Sequence, residues 1–216
     1  TQFAGTSTAE LAGRLTIEGG APVLRLARGS ATLPVLSVRF GESEISLART
    51  RLTGDVRLPD LTSLAALAGQ PLSGSLGAGF RTDLNLNDPA GTIALSLAGT
   101  DLTTGIAPLD SLLAGKTQAS ANVTLAGDGT VGLRDLTVSA PGATLSGNAQ
   151  LRQGDNDGLE GKLTLVLPDL AKLDPRLGGT LTAETGLSGA LARPGLSLSV
   201  TSPRILLAGT PLTNLS

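Results

Sequence analysis

The sequence predicts an all-β chain, an elongated sheet with short helical turns between its strands. Three observations carry this. Large aliphatic residues alternate with small or polar ones in run after run. Glycine and proline, 29 and 12 of the 216 residues, punctuate the runs. The apolar content, 40% of the chain, is almost purely aliphatic, with three Phe and no Trp, Tyr or Met. Alternate side chains of a strand point to opposite faces, so each run defines one apolar and one polar face. Compact cores close their gaps by mixing flat rings with aliphatics. A lining made mostly of Leu, with Ile and Val in support, suits a long surface of uniform depth.

The strand candidates follow in order. Leu11 to Ile17, Val35 to Phe40, Ile45 to Leu47, Leu52 to Leu58 and Leu84 to Leu86 come first. Ile93, Leu95 and Leu97 then alternate with Ala94 and Ser96, and Val123 and Leu125 flank Thr124. Val131 to Leu133 and Leu136 to Val138 follow. Leu163, Leu165 and Leu167 alternate with Thr164 and Val166, and Leu196, Leu198 and Val200 alternate with Ser197 and Ser199. Turn signals separate the runs at Gly19-Gly20, Asp88-Pro89, Gly127-Asp128-Gly129, Pro141-Gly142, Gly154 to Gly158 and Arg193-Pro194-Gly195. This spacing fits a sandwich, a barrel or a solenoid. A membrane barrel is set aside because it needs aromatic girdles.

Three segments break the alternation. Leu61, Leu64 and Leu67 fall at helical spacing between Asp60, a helix-start residue, and Gly69, a helix-stop residue. Pro108 to Gly115 and Asp169 to Gly178 read the same way, the latter interrupted by Pro175. They reveal a repeat. Leu58-Pro59-Asp60-Leu61 recurs as Leu167-Pro168-Asp169-Leu170, an interval of 167 − 58 = 109 residues. Leu97-Ala98-Gly99-Thr100 recurs as Leu207-Ala208-Gly209-Thr210, 207 − 97 = 110 apart. Two repeats of about 110 residues are expected, roughly 1–100 and 101–216. Familiar short solenoid units end near ~50 residues. Both ends of the chain fall in alternating sequence, so it reads as a segment of a longer protein.

Composition removes most chemistry. With no His and no Cys, neither a Ser-His-Asp nor a Cys-His nucleophile can be built, nor a zinc or haem site on those ligands. No cofactor is expected. The carboxylates sit in turns (Asp88, Asp128, Asp155, Asp157) or at helix starts (Asp60, Asp169), where they serve local backbone N–H groups. Asp155 to Gly158 lacks the downstream Glu of a calcium loop. Gly74 to Gly79 leads into strand-like sequence, not the helix a phosphate loop requires. A net charge of −2 offers no field for nucleic acid. No apolar run reaches the ~18 residues of a membrane-spanning helix. The remaining candidate is the apolar face, either a closed core or an open surface.

The stretch Leu58 to Leu76 resembles the repeats of TamB-type translocation and assembly module proteins, in the wider AsmA-like group. Its "leucine-proline-aspartate-leucine" step, leucine turn and "leucine-alanine-glycine" close recur from Leu167 onward, and Leu187 to Leu198 is similar to the joins of that family. The resemblance implies a curled sheet, a half-pipe or β-taco. It implies a non-enzymatic periplasmic bridge whose groove carries phospholipid acyl chains between inner and outer membranes. The full-length protein would be anchored in the inner membrane and meet an outer-membrane barrel of the TamA or BamA kind. The expected lining is Ile93, Leu95, Leu97, Val123, Leu125, Leu163, Leu165, Leu167, Leu196, Leu198 and Val200. An older reading of the family makes it a chaperone or scaffold for outer-membrane barrels and autotransporters. A third reading is a passive stalk with a closed interior.

Overall fold

The computed structural model describes residues 7–153, 157–207 and 210–215. The expected strand in Leu11 to Ile17 lies in β1 (Thr8–Glu18), which turns back through Gly19-Gly20 into β2 (Ala21–Thr32). Both glycines have positive φ, 58° and 84°, as a two-residue hairpin turn requires. The chain continues through β3 (Ser37–Phe40), β4 (Ser43–Ile45) and β5 (Thr50–Leu58) to helix α1 (Thr62–Ala68). β6 (Ser73–Asn85) and β7 (Ala90–Thr103) lead to α2 (Ala107–Leu113). β8 (Lys116–Leu125), β9 (Val131–Ala140), β10 (Ala143–Arg152) and β11 (Gly158–Leu167) precede a 3₁₀ turn, Leu170–Lys172. β12 (Leu177–Gly179), β13 (Leu181–Ser188), β14 (Gly195–Leu207) and β15 (Thr210–Leu215) complete the described elements.

All fifteen of these strands belong to one antiparallel, curled sheet. β3 and β4 lie end to end between β2 and β5. β12 and β13 lie end to end beside β14. Fifteen strands thus fill thirteen positions, each position pairing with its neighbours in sequence. Such a meander lets every hairpin close a short loop, the least costly kind.

The three helical segments all follow strands that end at the same end of the sheet. Asp60 accepts the Thr62 N–H at 2.8 Å and its hydroxyl at 2.6 Å, and Gly69 closes α1 in the left-handed conformation. α2 is anchored from within: Asp110 accepts the Thr104 N–H at 2.6 Å and hydroxyl at 2.9 Å. The third expected helix is a correction. Only one 3₁₀ turn forms, because Pro175 cannot continue a helix and the chain re-enters the sheet at Leu177. Asp169 still accepts the Ala171 N–H at 3.0 Å, the role Asp60 has 109 residues earlier. The turn expected at Gly154 to Gly158 lies mostly outside the described residues.

Rows β1, β2, β3–β4, β5, β6 and β7 are followed by β8, β9, β10, β11, β12–β13 and β14. In β2, the apolar-face residues Leu26 and Gly29 are three apart; in β9, Leu133 and Leu136 are three apart. Each is a β-bulge, which adds twist and curvature to the sheet at the same place in both halves.

Two glycines permit close approach on the apolar face. Gly54 stands between Phe40 and Phe80, whose rings meet edge to face with centroids 6.2 Å apart. A Cβ at Gly147 would lie 2.3 Å from the Lys162 carbonyl oxygen and 2.7 Å from a Leu163 methyl. Gly147→Ala is therefore expected to destabilise the sheet by about 1–3 kcal/mol, seen as a lower urea midpoint with the slope unchanged.

Candidate functional site: one apolar face

Residues directly opposite one another in adjacent strands share a face. The pairing runs unbroken from β1 to β14. Its first half is Ala9, Ala31, Val38, Val56, Ala78 and Leu97. The second is Ala119, Val138, Leu145, Leu165, Ala183 and Val200. All twelve are apolar. The next row, one residue along, begins Glu10, Ser30, Arg39, Asp55, Gly79 and Ser96, and ends Ser120, Thr137, Ser146, Thr164, Glu184 and Ser199. One face of the sheet is aliphatic and the other hydroxylated and charged.

The eleven residues expected to line a groove all fall on the aliphatic face. Ile93 stands opposite Val123, and Gly91 opposite Leu125. Leu163 stands opposite Thr185, which is opposite Leu198; Leu187 is opposite Leu196. Leu95 and Leu97 are 43% and 44% exposed, and Leu196, Leu198 and Val200 are 71%, 65% and 39% exposed. Leu167 differs. It is 6% exposed and sits in a small cluster with Leu112 of α2 and Leu170 of the 3₁₀ turn, against which Leu165 packs. α2 and the 3₁₀ turn form a lip over one end of the face. The β9–β10 turn ties the lip together: Gly142 donates its N–H to the Leu112 carbonyl at 3.0 Å, and Lys172 donates to the Pro141 carbonyl at 2.7 Å.

Away from the lip the face is open. Only five apolar residues are buried among those described, and no side chain falls below 2% exposure. The chain presents 13276 Å² to solvent, whereas a compact chain of this length would present about 9,200 Å².

Charge is confined to the polar face and its rims. Arg25 links Glu18 and Glu44, while Arg49 and Arg51 share Asp83. Arg152 pairs with Glu160, and Lys162 with Glu184. A shallow trough on this face is floored by Gly77, Gly79, Ser96 and Ser120. Among the described residues no group of three or more carboxylates is placed to hold a metal ion.

The shifted carboxyls all move down. The Arg176 guanidinium holds Asp174 at about 2; Arg25, aided by Thr16, lowers Glu18; and Arg49 lowers Asp83. Hydrogen bonds from Thr62 and Thr130 lower Asp60 and Asp128. A carboxyl depressed in the folded state stabilises it above the ordinary carboxylate pKa of about 4 and loses that effect as pH falls through the folded value. With no His in the chain, no ordinary side chain titrates between about pH 5 and 8. The urea midpoint is expected to stay flat across that window and to fall only below about pH 4. These groups are solvent-screened, so the fall is shallow.

No family model, curated protein or solved structure matches the chain.

Proposed function

We propose that the aliphatic face is a non-enzymatic surface for phospholipid acyl chains, in a TamB-type periplasmic bridge between inner and outer membranes. The observation that carries the reading is the twelve-residue apolar row, in which no residue is buried and Ala9, Leu97 and Val200 are exposed. A surface without polar atoms asks nothing of an acyl chain but contact, and each methylene removed from water is worth about 0.8 kcal/mol. Leu, Ile and Val make it smooth, which favours sliding over capture in a fixed pocket. The polar face, with its ion pairs and hydroxyls, keeps the outside wetted. On this reading the membrane anchor and the contact with an outer-membrane barrel belong to the full-length protein. No helix among the described residues is long and apolar enough to cross a membrane.

The test is mass spectrometry of organic extracts of the purified chain. Phospholipid in stoichiometric amount supports the reading; a lipid-free protein that also fails to take up a fluorescent phospholipid from vesicles overturns it. The scaffold reading draws on a different observation: among the described residues β1 pairs only with β2, and its Leu11, Leu15 and Ile17 are all 67–68% exposed. Cross-linking of outer-membrane strand peptides to β1, without bound lipid, favours that second reading.

A further inference from the structure

The two ends of the strands differ. α1, α2 and the 3₁₀ turn all stand at one end. At the other, β4 joins β5, β6 joins β7 and β8 joins β9 through tight turns at residues 46–49, 86–89 and 126–130. A phospholipid on the aliphatic face needs its headgroup in water, so the headgroup has to lie at one of these two rims.

The helical rim is walled. Leu112 and Leu170 close over Leu167, with Leu165, Leu173 and Leu181 packed against them. The charged groups of the helical segments are already engaged. Asp60 accepts from Thr62, Asp110 from Thr104 and Asp169 from Ala171. Lys172 donates to the Pro141 carbonyl, and Asp174 is paired with Arg176. A headgroup entering here would be stripped of water by leucines and would find these partners spent.

The turn rim is open. The last face row before the turns is aliphatic from strand to strand: Ile45, Leu84, Leu125, Val131, Leu151 and Leu159, all half-buried. Thr50, between Ile45 and Leu84, gives its hydroxyl to the Ser46 carbonyl at 2.8 Å, so it offers the face no free donor. Polar groups begin immediately beyond, in the turns. Asn85 and Asp128 hold their turns by accepting the Asn87 and Thr130 N–H groups at 3.0 and 2.9 Å. The side chains of Asn87 and Asp88 make no hydrogen bond among the described residues. The aliphatic rows thus run directly up to a hydrated, hydrogen-bonding edge, the order in which a phospholipid presents its own parts.

We infer that a phospholipid lies along the strands with its headgroup at the turn rim and its acyl ends toward the helical lip. The inference rests on the reading of this face as a phospholipid surface and adds a direction to it. Successive lipids share that orientation, their headgroups in file along one rim.

Two photoreactive phosphatidylethanolamines test it. One carries a diazirine on the headgroup and the other at the acyl end, and each is loaded from vesicles onto the delipidated chain. Tandem mass spectrometry locates the labels. The headgroup probe is expected to favour residues 86–89 and 126–130 over residues 107–113 and 170–172 by about tenfold or more, the ratio that 1.4 kcal/mol of desolvation sets. The acyl-end probe is expected on the aliphatic face and the lip, and not in the turns. Headgroup label on the helical segments, on both rims alike or on neither overturns the orientation, while acyl-end label on Leu95, Leu97 or Leu163 would still uphold the phospholipid reading. If neither probe loads, the phospholipid reading fails and the orientation with it.

Discussion

Leu97→Asp is expected to strip co-purifying phospholipid while leaving the sheet folded. Leu97 lies at the centre of the apolar row, between Ala78 and Ala119, and is 44% exposed. A carboxylate there still reaches water in the free protein, so the cost to folding is on the order of 1 kcal/mol, the span of strand preferences at a half-exposed site. An acyl chain laid over the same point would have to strip that carboxylate of water, at several kcal/mol. The difference is a loss of bound lipid by a factor of at least about 100, since every 1.4 kcal/mol is tenfold. Extract mass spectrometry and a urea melt on the same preparation check both halves. A variant that unfolds or aggregates would mean that Leu97 belongs to a sealed core, and the conduit reading would fail. Leu165 is a poorer choice, because it packs against the lip and a charge there strikes stability as well.

The largest loss of stability is expected from Leu170→Ala. Leu170 is 3% exposed, the most buried apolar residue described, and it joins Leu112 and Leu167 beneath the lip. Truncating a buried Leu removes its transfer energy and leaves a cavity, costing about 2–5 kcal/mol. The same truncation at Leu11, 68% exposed, should cost less than about 0.5 kcal/mol. Urea midpoints of the two variants check the contrast. If they shift equally, the lip does not hold the sheet. The sheet is then stabilised mainly by strand pairing, and its firmest packing is local to one end.

Much of the sheet was legible because large aliphatics mark period two. Leu52 to Leu58, Ile93 to Leu97, Leu163 to Leu167 and Leu196 to Val200 each lie inside a strand, with the face expected. Four strands were not legible: β2, β10, β13 and β12, whose Leu177 and Gly178 were read as the end of a helical turn. β10 shows Ala143, Gly147 and Ala149 to the aliphatic face, and β13 shows Ala183 and Thr185. Small residues give alternation no contrast, although their strands pair as fully as the others. β2 was hidden by its bulge, which shifts the period between Leu26 and Gly29. The same device split β9 into two short runs in the sequence, where the fold has one strand. Gly74 to Gly79, which has the composition of a loop, is the start of β6.

The aliphatic face was legible for the same reason, and its limits were not. Alternation put all eleven expected lining residues on one face. It carried no information about the lip, which depends on where α2 and the 3₁₀ turn land and which removes Leu167 from the open surface.

Because each position in the sheet pairs only with its neighbours along the chain, the protein is a ruler. Thirteen positions stand about 4.8 Å apart, so the described residues reach roughly 58 Å across the strands. Adding or removing a hairpin changes that reach by about 10 Å without reversing a strand or exchanging the two faces. Residue count sets the distance this sheet can cover, almost independently of the details of sequence.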